Sequence, residues 1–178
     1  MRKTVFMPIL AIVLAAVILL AAYNGLLDIR QANQEAELLN KMQAILPGSV
    51  TFAEEEYTGE DANIVSVYKG ETGYVIYTVT AGYAGDIAML IGVSDKGTVT
   101  GLQVRDMSET PGLGGGALTD WEFLSQFLDS DGDAAVGEDI DAITGATVTS
   151  KAITRSVNSA VAFVTGADTS TGATSWGG

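Results

Sequence analysis

Asp141-Ala142-Ile143-Thr144-Gly145-Ala146-Thr147-Val148-Thr149-Ser150 places small residues and hydroxyls where a short apolar strand hands over to a helix. From Lys151 to Val164, apolar side chains recur at Ile153, Val157, Ala160, Val161 and Val164, with Arg155 and Asn158 on the other face. That is the spacing of an amphipathic helix. Thr144 to Thr147 therefore falls at or just before a helix N-terminus. The first backbone N–H groups of a helix have no internal partner and the dipole makes that end positive, so a phosphate is stabilised there if small residues let it approach. Gly145 and Ala146 supply that access. Thr and Ser are also ordinary N-caps and Gly an ordinary turn residue, so structural capping and phosphate binding both fit the residues taken alone.

Upstream of this stretch the chain reads as short strands at 49–53, 63–68 and 74–80, rich in Val, Ile, Tyr and Thr and divided by Gly and acidic turns. Residues 86–93 and 98–105 read as a hairpin joined at Asp95-Lys96-Gly97, a turn with the required Gly. Between the third strand and that hairpin, Gly82-Tyr83-Ala84-Gly85 is expected to form a β-bulge or tight turn with Tyr83 packed structurally. Residues 117–128 fit a helix with Trp121, Leu124 and Phe127 or Leu128 on one face, aromatics that suit a core better than a ligand. An acidic loop over 132–139 then leads to a short strand at 140–143. The fold class expected is α/β (α+β), a twisted, mainly antiparallel sheet flanked by helices.

The front of the chain is different. Val5 to Tyr23 carries no charge, and at 1.5 Å per residue about 19 helical residues reach roughly 28 Å, close to the hydrocarbon thickness of a bilayer. A cleaved signal peptide is a poorer match, because its apolar core is normally about 7–15 residues long and ends at small residues that Leu20-Ala21-Ala22-Tyr23 does not place correctly. The chain has no Cys, which excludes a lipid-modified cysteine anchor. Arg2 and Lys3 precede the span, leaving seven of the nine basic residues and all 22 acidic ones after it, a net charge of −15 by difference. Positive residues stay on the cytoplasmic side, so the N-terminus is expected inside and the folded domain outside. After Asn24-Gly25 a second helix is expected from Leu26 to about Ile45, ending before Pro47. The organisation expected is a transmembrane anchor at 1–24, a helical stalk at 25–46, a folded domain at 47–165 and a Gly-, Ser- and Thr-rich flexible tail at 166–178.

Composition narrows the chemistry. The chain has no His and no Cys, so it lacks the usual side chains for haem or an iron–sulfur cluster and for Ser-His or Cys-His catalysis. Any redox centre is therefore expected to be organic, with no catalytic side chain of its own. The acidic surface argues against nucleic acid as a partner. Asp129-Ser130-Asp131-Gly132-Asp133 begins like a calcium loop, but positions 6 and 12 of an EF-hand would fall on Ala134 and Ile140, so it reads as a solvated acidic loop and no metal is assigned.

Two blocks resemble the FMN-binding domain family. Asp-x-x-Thr-Gly-Ala-Thr at 141–147 is similar to its flavinylation sequence, in which a flavin transferase joins FMN to the last Thr through a phosphoester. The resemblance implies covalent FMN on Thr147, with Thr144, Gly145 and Ala146 as the rest of the recognition sequence and Thr149 and Ser150 in its usual continuation. Glu109-Thr110-Pro111-Gly112-Leu113-Gly114 matches a second family block. Read by itself this block is a turn and flexible connector; by resemblance it is a backbone against which the flavin ring lies, with Glu109 and Thr110 at its edge. Gly-Tyr-x-Gly at 82–85 is similar to a further family segment. The family often has a His where Met107 stands, which removes any family-based proton role there.

Asp168 to Thr174 repeats the seven-residue pattern, but no amphipathic helix comes after it, so Thr147 is the favoured acceptor. The whole layout is similar to the G subunits of Rnf-type ion-translocating electron transport complexes, relatives of the C subunits of sodium-pumping NADH:quinone reductases. It implies a single-pass flavoprotein of a bacterial or archaeal inner membrane, with the FMN domain extracytoplasmic. It would relay electrons between ferredoxin and NAD among membrane and redox partner subunits. Three alternatives stay open: a subunit of the sodium-pumping reductase, another extracytoplasmic electron-transfer system, and a non-redox binding module.

Overall fold

A computed structural model of the 178-residue chain describes residues 2–107 and 120–167, and packing divides the chain into two compact units, Met1–Asn40 and Lys41–Gly178. Helix α1 runs from Arg2 to Ile45 and continues through Asn24-Gly25, where the sequence divides anchor from stalk. An interior Gly costs about 1 kcal/mol relative to Ala, too little to break a helix with long hydrogen-bonded arms on both sides. Within it, Leu14–Ile45 is long and apolar enough, by length and composition, to cross a membrane. Leu14, Val17, Ile18, Leu19 and Leu20 are all exposed, as a lipid-facing surface requires.

The second unit is built on a five-stranded antiparallel meander in the order β1-β2-β3-β4-β5. The strands are β1 (Ala53–Glu55), β2 (Ile64–Lys69), β3 (Gly73–Ala81), β4 (Asp86–Ser94) and β5 (Val99–Met107). Four of them lie where the Val, Ile, Tyr and Thr runs put them. The first is displaced from 49–53 because the Glu71 carboxylate takes the N–H groups of Val50 (2.9 Å) and Thr51 (3.1 Å), which a strand would have given to its neighbour. The β4–β5 turn closes with Gly97 N–H donating to the Ser94 carbonyl at 2.9 Å, and Gly97 takes the left-handed conformation that a Cβ would strain.

Two helices complete the unit: the short α2 (Trp121–Ser125) and the long α3 (Thr147–Thr165). Ile153, Val157, Ala160 and Val161 of α3 pack with Phe123, Leu124 and Phe127 and with Val67, Ile76, Met89 and Ile91 of the sheet in one cluster. The rings of Tyr57 and Tyr74 meet Phe163 edge-on at 5.8 and 5.6 Å. The expected apolar face of α2 is corrected: the buried stripe is Phe123, Leu124 and Phe127, which rotates Trp121 off the core and leaves it 67% exposed.

On the other face of the sheet the last turn of α1 covers β4 and β5. Met42, Ile45 and Leu46 are buried, and the Thr100 hydroxyl donates to the Ile45 carbonyl at 2.7 Å. Gly92 and Gly101 admit that close approach, since a Cβ on Gly101 would stand 2.8 Å from the Ile45 Cα.

Candidate functional site

The direction of α3 decides which end of the sheet its N-terminus occupies. Ser156 shares a 2.7 Å hydrogen bond with Thr80 near the end of β3, Arg155 donates to the Ala81 carbonyl at 3.1 Å, and Thr165 lies against Gly97 in the β4–β5 turn. Thr147 therefore stands beyond the end where β3 finishes, β4 begins and β5 ends. At 1.5 Å per residue it lies about 13 Å along the axis from Ser156.

The approach to the helix is a fastened turn. The expected strand at 140–143 is reduced to a single bridge between Val136 and Ile140. Side chains replace the missing ladder: Gln126 accepts from Asp141 N–H at 2.7 Å and donates to its carbonyl at 3.3 Å, and Ile143 N–H donates to the Ser150 hydroxyl at 3.1 Å. Ala146 N–H then returns to the Ile143 carbonyl at 2.9 Å, and Gly145 takes φ +77°, a left-handed position suited to Gly. Sequence reasoning missed Gln126, an ordinary polar residue with no motif of its own, whose partner lies 15 positions away.

At the head of α3 the N-cap position is Ala146, which has no side chain able to accept from the first turn. Such an end leaves its first N–H groups for another acceptor. Thr147 is the first helical residue and is exposed, as are Thr144 and Gly145, whereas Ala146 is buried at 6% and does not supply the access expected of it, so the open part of this uncapped end is Thr144, Gly145 and Thr147. Thr149 and Ser150 lie beneath it at 1% and 0% exposure. Ser150 has a structural role there, since its hydroxyl also donates to the Ala146 carbonyl at 3.0 Å and so ties turn to helix. Lys151 is exposed one turn further along.

The turn between β3 and β4 lies at this end. Gly82 N–H donates to the Gly85 carbonyl at 2.8 Å, which makes 82–85 the tight turn expected, and Tyr83 on it is 73% exposed. Glu109, Thr110, Pro111, Gly112, Leu113 and Gly114 lie outside the described residues, as does the tail repeat with Thr174. The acidic segment at Asp129 is bound to the start of β5, with Asp129 N–H donating to the Val99 carbonyl and Val99 N–H to that of Ser130, both at 3.0 Å. No group of three or more carboxylates near enough to hold a metal ion occurs among the described residues.

Residues 82–162, from that tight turn to the last turn of α3, match the FMN-binding domain family. The G subunit of the ion-translocating oxidoreductase complex of Methanosarcina acetivorans is 36% identical over 181 residues, covering 91% of this chain and 93% of that protein. This chain belongs to the family of G subunits of ion-translocating oxidoreductase complexes. Two further members of that family match over about half of each chain. The G subunit of a proton-translocating ferredoxin:NAD(+) oxidoreductase complex from Clostridium ljungdahlii is 40% identical over 99 residues (52% of this chain, 53% of that one). That of a Na(+)-translocating complex from Acetobacterium woodii is 37% identical over 112 residues (55% and 54%). The residues at the head of α3 suit the phosphate end of FMN: an uncapped helix N-terminus, a glycine turn that lets a phosphoryl group approach, and two exposed threonines, Thr144 and Thr147.

Proposed function

We propose that FMN is held through a phosphoester to the Thr147 hydroxyl, and that this G subunit relays electrons in an Rnf-type complex coupling ferredoxin and NAD to ion movement. The observation that carries the reading is that a 19-residue helix opens on an exposed Thr with no side-chain cap before it. Each residue then has a defined task. In maturation Thr147 Oγ would attack the flavin-side phosphorus of a flavin dinucleotide, giving up its proton as the pyrophosphate P–O bond breaks and the nucleoside monophosphate leaves. The N–H groups of the first turn, left without a cap, donate to the phosphoryl oxygens, while Ser150 N–H is already committed to the Ala146 carbonyl at 2.9 Å. By the family resemblance, the backbone of Glu109 to Gly114 would be the surface against which the ring lies, with Glu109 and Thr110 at its edge. When bound, FMN supplies a centre that takes up two electrons and passes them on singly; the protein's share is to hold it in place.

Anchoring through α1 and a cytoplasmic N-terminus put the FMN domain on the extracytoplasmic side, where a covalent tether prevents loss of the cofactor. The reading requires a flavin transferase for maturation and partner subunits that carry the other redox centres and the ion path. The test is a denaturing gel of the purified full chain under ultraviolet light, with Thr147→Val and Thr174→Val beside it. A fluorescent band lost only with Thr147→Val is the expected result. A band that survives that change, or that depends on Thr174, overturns the assignment.

A further inference from the structure

Trp121 is the side chain that the fold leaves most conspicuously without a role. Helix α2 is anchored well: Asp120 caps it by accepting from Phe123 N–H at 3.0 Å, and Phe123, Leu124 and Phe127 are buried at 3%, 7% and 0% exposure. The Phe123 and Phe127 rings pack edge-on with centroids 5.4 Å apart. Trp121, at the head of this rigid element, keeps 67% of its surface in solvent. Tryptophan is highly buried on average, because its flat apolar body is large and its one N–H needs only one acceptor.

Two hydrogen bonds tie the end of the helix that carries the indole to the approach to α3. Gln126 grips both the N–H and the carbonyl of Asp141, so α2 and the approach to α3 leave a shared clamp. Trp121 is five residues before Gln126, about 7.5 Å of helix, and Thr147 is six residues after Asp141 with a tight turn between. After α2 the chain descends to Asp129 and Ser130, which bond to Val99 at the start of β5, the same end of the sheet that Thr165 reaches at Gly97. Trp121 and Thr147 therefore both face the opposite end, on the side of the sheet where α2 and α3 share one core. Val148, next to Thr147, is 39% exposed and adds apolar surface at the head of α3. Tyr83 is also exposed; Ala81, at the end of β3 just before its turn, accepts from Arg155, eight residues and about 12 Å along the axis beyond Thr147.

We infer that the Trp121 indole is the surface against which the isoalloxazine ring of the Thr147-tethered FMN rests, an inference that depends on the tether proposed above. A flat, apolar-faced ring on a short chain from Thr147 meets an equally flat indole held by a packed helix, and the contact covers one face of each from water. Trp121 is thus a positioning residue for the redox group and takes no proton or electron in turnover.

An indole stacked on a flavin quenches its fluorescence by a reversible electron shift in the excited state, which gives the test. The full chain is co-produced with a flavin transferase as wild type, Trp121→Phe, Trp121→Leu, Tyr83→Leu and Thr147→Val. For each, the denaturing-gel band measures attachment, and flavin emission of the native protein is divided by that of the same sample unfolded. The inference expects Trp121→Leu to raise this ratio several-fold, Trp121→Phe to fall between, and the gel band and far-ultraviolet circular dichroism to stay at wild-type level. A wild-type ratio in Trp121→Leu, with the band lost only in Thr147→Val, overturns the contact and leaves the tether standing. So does quenching that depends on Tyr83 instead. A band that persists in Thr147→Val overturns the tether and this contact with it.

Discussion

At its C-terminal end α3 is closed in the usual way: Gly166 adopts φ +72°, its N–H returns to the Ala162 carbonyl at 2.8 Å, and the Thr165 hydroxyl donates to the Val161 carbonyl at 3.0 Å. At its N-terminal end the position for a capping side chain holds Ala146, and the helix starts with an exposed hydroxyl. A helix of 19 residues packed along a sheet tolerates one open end, because most of its stability comes from the buried stripe. The difference agrees with the phosphoester proposed at Thr147, since Ser, Thr, Asp or Asn at position 146 would serve stability better.

Substitutions along α3 should separate the two ends. The largest effect is expected from Thr147→Val, which removes the acceptor oxygen: covalent flavin should vanish from the gel while the melting temperature stays near that of the unflavinylated wild type. Ile153→Ala should do the reverse. Ile153 is fully buried between helix and sheet, and truncating such a side chain costs about 2–5 kcal/mol in chemical denaturation, with flavin attachment retained below the unfolding transition. Gly166→Ala probes the closed end: a Cβ has space there, but the left-handed backbone costs about 1–2 kcal/mol, and attachment should not change. Ala146→Ser probes the open end with opposite signs, since an added cap should raise stability by about 0.5–1 kcal/mol while lowering the rate of flavin incorporation, because the hydroxyl competes for the same N–H groups. A cap that stabilises without slowing incorporation would break the comparison.

The smallest effect lies away from both ends. Hydrogen bonds from the Thr51 hydroxyl, and from the N–H groups of Thr51 and Val50, hold the Glu71 carboxyl down at about 2, below its ordinary value of 4.5. A group whose folded value is depressed contributes stability that is fully present above the unfolded value and is lost as pH falls toward the folded one. Denaturation midpoints should therefore carry a small slope between pH 4.5 and 2 that Glu71→Gln flattens, with little change at pH 7. The group is fully exposed to solvent, so the slope should be slight.

Much of this was legible in the order of residues. The β4–β5 hairpin follows from two β-branched runs around Asp95-Lys96-Gly97, and α3 from the recurrence of Ile153, Val157, Ala160 and Val161, because periodicity reports directly which side chains are removed from water. The misplaced features share one cause. The strand expected at 49–53 yields its N–H groups to Glu71, the one at 140–143 is held by Gln126 and Ser150, and Trp121 is turned outward by the neighbouring Phe123 and Phe127. Each depends on a partner several positions or a whole element away, and no local pattern encodes such a reach.

The amino-acid order by itself determined the apolar front, the order of strands and helices, and two copies of a seven-residue pattern, only one of which leads into an amphipathic helix. Only the tertiary structure decided that Thr147 stands open at an uncapped helix end while Thr149 and Ser150 are turned beneath it. Neighbouring hydroxyls in one motif are chemically alike. Their fates diverge because a helix rotates each successive residue by about 100°, and the sheet below decides which direction is inside.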